Sequence, residues 1–267
     1  MIKDILTSVL QYLRTNIFCP VRNIVQINVV NCSSKVSDTE GMLMCRAIEE
    51  QVNKHVVPAW GISDVKVNYL KSDSGLSGGY IVYIVDEDGD GGSLGYHYEN
   101  SNTFYGIITT GIIFNMGGAV LKNGGGLTVS NVLSHEILEM LLDSSANYWA
   151  EGPRVVLTNQ DEVSVDADLY ALEICDPVQE DSYDIVVNSV SVSVSNFVYP
   201  SWFNMLDQGE DAASKKYDYL GRLTAPYTMS VGGYMIMRSG FDYYSVYAKT
   251  RSGETPKVNA FHRRKKS

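Results

Sequence analysis

Ser134-His135-Glu136-Ile137-Leu138-Glu139-Met140-Leu141-Leu142-Asp143 is the stretch on which the reading of this chain turns. On a helix, residues four apart turn through about 400°, so each step drifts only about 40° around the axis. His135, Glu139 and Asp143 therefore share one stripe, with Glu136 beside it. Ile137, Leu138, Leu141 and Leu142 largely face elsewhere. A polar stripe on an apolar helix needs a reason, because a buried carboxylate without a partner is costly. A bound cation supplies one. The pattern is HExxE. In HExxH helices the two histidines bind zinc and the Glu is the general base. Here Glu139 occupies the second histidine position. A carboxylate can ligate zinc. The added negative charge reduces the metal's power to acidify its bound water, and it suits harder cations such as calcium, magnesium or manganese better than two imidazoles do.

A third ligand has to come from elsewhere. Glu173 and Asp176 interrupt the apolar run Tyr170-Ala-Leu-Glu173-Ile-Cys-Asp176-Pro, and either can fill that place. Besides His55, the other histidine in the body is His97, in Leu94-Gly-Tyr-His97; it reads as a structural histidine before a cleft residue. Asp143 is as well suited to capping as to ligation. Tyr234 follows Gly233 and reads as a core or turn tyrosine, with oxyanion donor as the alternative.

Outward from this helix, Thr128 or Ser130 is the expected N-cap, after the break Asn123-Gly-Gly-Gly126. Upstream, 24–30 reads as a strand. Ser37-Asp-Thr-Glu40 has capping-box spacing and opens a helix through Leu43, Met44, Ala47, Ile48 and Val52, closed by Pro58 and Gly61. Strands are expected at 65–70, 80–85 and 104–114. This order predicts a mixed sheet covered by helices. Downstream, 170–175, the alternating 184–198, 231–234 and 243–248 read as strands. The expected organisation is an amphipathic helix over 1–20, an α+β core over 21–150, a β-rich subdomain over 151–260 that completes the cleft, and a basic tail over 261–267.

The 267 residues are 45% hydrophobic and 19% charged, an ordinary globular composition. No apolar run reaches the ~18 residues of a membrane helix. The net charge of −10 argues against wrapping nucleic acid, and the tail His262-Arg-Arg-Lys-Lys266 reads as a solvated end. Asp4 and Arg14 break up any secretory signal. Four cysteines without Cys-x-x-Cys spacing read as thiols in a reducing compartment, not as a sulfur-rich zinc site. Asp86-Glu-Asp-Gly-Asp-Gly91 matches half of an EF-hand loop, but the twelfth position is His97, so it reads as an acidic turn. Gly75-Leu-Ser77-Gly-Gly79 has the letters of a nucleophile elbow but precedes a strand, so it reads as a loop.

SHEILEMLLD, LGYH, ALEICDPV, SNFVYPSWF, YDYLG and the later GGY, spread over most of 24–237, together resemble zincin-like proteins of phages and bacteria that carry an HExxE helix. The resemblance implies a zincin-like α+β fold: a mixed sheet with a backing helix and the HExxE active-site helix, followed by the β-rich C-terminal half. It implies His135 and Glu139 as metal ligands, Glu136 as general base and Glu173 as third ligand, with Asp176 the neighbouring candidate. The function then expected is metal-dependent hydrolysis of peptide bonds, with Glu136 activating the metal-bound water. The cofactor is a divalent metal, zinc first and calcium second, and the substrate is a peptide or protein. The alternative is a catalytically inactive structural protein of a phage particle, in capsid or tail, whose partners are other virion proteins. A binding module for carbohydrate or cell wall on the β-rich half is a third reading. A phage protein would reside in the virion or host cytoplasm, any other in the cytoplasm.

Overall fold

A computed structural model describes residues 24–87, 92–158, 164–206, 215–240, 242–248 and 259–260. The expected helix over 1–20, the acidic turn between 88 and 91 and the basic tail lie outside the described residues.

The N-terminal half is a five-stranded sheet under helices. Its strands are β1 (Val25–Asn31), β2 (Val65–Leu70), β3 (Gly79–Val85), β4 (Gly95–Asn100) and β5 (Thr103–Thr109), in the order β2-β1-β3-β5-β4. The first four in that order run parallel, and the edge strand β4 pairs antiparallel with β5. The helices are α1 (Asp38–Gln51), α2 (Val57–Trp60), α3 (Thr110–Asn115) and α4 (Val129–Leu142). The expected capping box is present: the Ser37 hydroxyl accepts from the Glu40 N–H, and the Glu40 carboxylate accepts from the Ser37 N–H at 2.9 Å. Thr128, not Ser130, caps α4, accepting the Asn131 N–H at 3.0 Å.

The structure departs from expectation at three points in this half. Strand 104–114 ends at Thr109, and 110–115 is α3. The β-propensity of Ile112 and Ile113 is overridden because the Gly111 N–H donates to the Asp86 carbonyl at 2.8 Å. A Cβ at 111 would stand 2.4 Å from that oxygen, so only glycine permits the approach. Strand β4, which carries His97, is an addition; its polar residues hide it from a hydrophobic pattern. Further upstream, Pro58 does not end the helix abruptly: a π-helical turn over Val52–Val56 absorbs it ahead of α2.

The C-terminal half is β-rich, as expected. Strands β6 (Trp149–Thr158), β7 (Ser164–Ala171), β10 (Tyr234–Ser239), β11 (Asp242–Tyr247) and β12 (Asn259–Ala260) form an antiparallel sheet in the order β12-β11-β10-β7-β6; β8 (Ser182–Val187) and β9 (Val190–Ser195) form a hairpin. The 184–198 alternation is thus split. Asn188 and Ser189 take φ of 50° and 66°, the left-handed pair a tight hairpin needs. The expected strand 170–175 is displaced: β7 starts at Ser164 and shares only residues 170 and 171 with it. Beyond Ala171 the chain leaves the sheet and enters a 3-10 turn at Asp176–Val178. One hydrophobic cluster joins the halves, with Ile27, Val82, Met44 and Leu133 from one and Val194, Phe197 and Trp202 from the other. The molecule is a mixed α+β protein built on several sheets.

Candidate metal centre

Helix α4 lies between the halves, and all but two of its residues are buried. Its polar residues are tied down individually. The Ser134 hydroxyl donates to Gln51 Oε1 at 2.7 Å and accepts the Ser195 N–H at 3.0 Å; the Ser130 hydroxyl donates to the Ser193 carbonyl at 2.6 Å. These bonds fix the rotation of α4 and turn the HExxE stripe toward β4 and the loop after β7. The approach to β4 and β5 is close. A Cβ at Gly95 would stand 2.8 Å from Glu136 Oε1, and one at Gly106 3.0 Å from the Met140 sulfur.

His135, Glu136 and Glu139 are 7%, 6% and 3% exposed. His135 Nε2 lies 3.2 Å from Glu139 Oε2 and 3.1 Å from Asp176 Oδ1. One ring nitrogen carries at most one hydrogen, so it can serve only one of those oxygens as donor. In a tetrahedral zinc site with bonds of about 2.0–2.1 Å, neighbouring ligand atoms stand about 3.3–3.4 Å apart. The observed spacings lie close to that value.

His97 forms a second focus. On β4 it faces Gly106 of β5. Its Nδ1 is 3.2 Å from Glu136 Oε2, its Nε2 3.1 Å from the Asp143 carbonyl and 3.8 Å from Glu173 Oε2. Glu139 connects the foci. Its Oε1 accepts the Cys175 N–H at 3.1 Å. Two donor sets each close to within 4.8 Å: His135, Glu139 and Cys175, and His97, Glu136 and Glu139.

Electrostatics follow from the crowding of carboxylates. Burial disfavours the His97 imidazolium, but the carboxylates of Glu173 and Glu136 outweigh it and carry His97 to about 10. His135 is likewise raised, against burial, by Glu139 and Asp176. Burial and the charge of Asp176 push the Glu139 carboxyl up to about 8, against the pull of His135. Burial also raises the Cys175 thiol and the Tyr234 phenol, and that phenol hydrogen-bonds Asp176. A divalent cation would relieve the repulsion that the carboxylates otherwise meet by holding protons.

Of the expected site residues, the structure brings His135, Glu139 and Asp176 together. Glu173 sits nearer His97 than the His135 focus, and Glu136 also turns toward His97. Asp143 is a cap: its carboxylate accepts the N–H groups of Asn147 and Tyr148, both at 2.8 Å. Two participants were not anticipated. Cys175 lies between Glu173 and Asp176 in sequence, yet a lone cysteine shows no metal-site spacing. His97 was read as structural, and only β4's antiparallel register against β5 brings it to α4.

No family model matches the chain, and no curated protein or solved structure is significantly similar to it. Among the described residues, no helix is long and apolar enough to cross a membrane.

Proposed function

We propose that this chain is a zincin-like metal-dependent hydrolase, acting on peptide bonds, with zinc as its metal. The observation that carries the reading is His135 Nε2 set between the carboxylates of Glu139 and Asp176. Two further features support it. The parallel strands end in an antiparallel edge strand, and the HExxE helix packs along that edge. The donor set of imidazole, carboxylates and a nearby thiol suits zinc, whereas calcium asks for six to eight oxygens.

In this reading His135, Glu139 and Asp176 hold the ion, with Cys175 within reach. The ion supplies Lewis acidity toward a carbonyl and an attacking water. Glu136 takes the proton of that water and passes it to the leaving amine. His97 orients Glu136 through its Nδ1, itself anchored at Nε2 by the Asp143 carbonyl. Tyr234 donates to the oxyanion as it develops. The outer edge of β4 pairs with no strand among the described residues, so it offers backbone groups to an extended peptide.

The deep burial of the centre favours a second reading, a catalytically inactive structural protein of a phage particle that keeps a closed, structural cation. Peptide hydrolysis by the zinc-loaded chain decides between them. The hydrolase reading expects cleavage that chelation abolishes, that zinc restores, and that Glu136→Gln lowers by about 10²- to 10⁴-fold, the scale of a lost general base. Bound zinc with no cleavage of any peptide in a diverse library supports the structural protein.

A further inference from the structure

We infer that the centre takes a second divalent cation, held by His97, Glu136 and Glu139, with Glu139 shared between the two ions. The inference rests on the metal-centre reading above and changes two roles in it: His97 and Glu136 Oε2 become ligands of the second ion, which leaves Glu136 Oε1 to take the proton.

The geometry of His97 carries the argument. Its Nε2 lies 3.1 Å from the Asp143 backbone carbonyl, which only accepts hydrogen bonds, so Nε2 holds the hydrogen and donates. A neutral ring then turns the lone pair of Nδ1 toward Glu136 Oε2, 3.2 Å away. Two acceptors facing each other in a buried site take either a proton, as His97 does without metal, or a cation that displaces it. The third member is in place, because ligand atoms of His97, Glu136 and Glu139 all lie within 4.8 Å of one another. The first donor set, His135, Glu139 and Cys175, uses the same Glu139. A carboxylate with two oxygens can bridge two ions, and two-metal sites hold theirs roughly 3.5–4 Å apart.

Charge favours two ions over one. Glu136, Glu139, Glu173 and Asp176 are all buried and face the two imidazoles. Fully ionised, these four carboxylates are matched by two divalent cations, whereas one ion leaves two of them to be matched by protons. Buried charge left unmatched is strongly disfavoured. The competing arrangement is a proton on His97, which leaves one ion in the centre.

The test is stoichiometry together with a spectroscopic readout that needs no turnover. The full-length protein is stripped with chelator, equilibrated with zinc, desalted and measured by inductively coupled plasma mass spectrometry. Two equivalents are expected in wild type, and one in His97→Ala and in the milder His97→Gln. The same protein loaded with manganese should give an exchange-coupled electron paramagnetic resonance signal, replaced by an isolated six-line signal in either variant. The wild-type spectrum stands even if a variant misfolds. One equivalent in wild type overturns the second ion and leaves the first. Two equivalents that persist without His97 overturn its placement. No bound metal overturns this inference and the hydrolase reading together.

Discussion

Helices α1 and α4 have the same length, 14 residues, and opposite surroundings. In α1 half of the residues are buried, and its charged groups work at the surface, as in the Glu50–Lys54 and Glu49–Lys66 pairs. In α4 twelve residues are buried, and among them are a histidine, two glutamates, two serines and an asparagine. Polar groups on α1 keep a face wet. Those on α4 have no such role, because water does not reach them, so each must answer to a specific partner. The serines answer to the backbone and to Gln51. His135, Glu136 and Glu139 answer to other titratable groups, and that residue of unsettled charge marks the site.

The contrast predicts very different sensitivities along the two helices. The largest effect is expected for Leu138→Ala on α4, which opens a cavity in the shared core and should cost about 2–5 kcal/mol by chemical denaturation. Met42→Ala on the exposed face of α1 should stay within about 0.5 kcal/mol. A cost for Met42→Ala matching that of Leu138→Ala would break the comparison. Next comes Ser134→Ala. It strands the Ser195 N–H and Gln51 Oε1 inside the protein, at about 1–3 kcal/mol. A near-zero value would mean that α4 is not held in rotation by this network.

How much of this was legible in the sequence depends on whether an interaction is local. The stripe of His135 and Glu139 follows from helical periodicity alone, and the Ser37–Glu40 capping box from spacing. Strand Val65–Leu70 was readable from its alternation. The end of β5 at Thr109 was not, because it depends on the distant Asp86 carbonyl. Nor was the hairpin turn at Asn188–Ser189, since it lacks the glycine that usually marks one. His97 and Cys175 were missed for a like reason. One reaches the centre through strand register and the other through a loop, and neither leaves a periodic trace.

Two smaller effects sharpen the comparison away from the centre. Asp86 ties the ends of β1, β3 and β5 together, accepting from the Ser33 hydroxyl at 2.5 Å, the Ser34 hydroxyl at 2.6 Å and the Thr110 hydroxyl at 3.0 Å. The serine hydroxyls hold its carboxyl below the usual range. A depressed carboxyl stabilises the fold fully above its unfolded value near 3.9, and that contribution is lost as pH falls through the folded value. Wild type should therefore lose stability toward pH 2 more steeply than Asp86→Asn. Solvent contact keeps the difference below about 1 kcal/mol. Equal slopes in acid titrations followed by circular dichroism would remove Asp86 from this role. The smallest effect is Lys54→Ala in the π-helical turn that continues α1, where the exposed i,i+4 pair with Glu50 is worth about 0.3–0.5 kcal/mol. Thermal denaturation in low and high salt should show it fading with screening.

The account turns on one statement, that the buried imidazole and carboxylates of α4 bind a divalent cation. The most direct test is thermal unfolding of chelator-stripped wild type and His135→Ala across a zinc titration. A ligand that binds the native state alone adds about 2.7 kcal/mol at a hundredfold excess over its dissociation constant. The account predicts a midpoint that climbs with zinc in wild type and stays flat in His135→Ala. A wild-type midpoint that ignores zinc, calcium and manganese alike would contradict it.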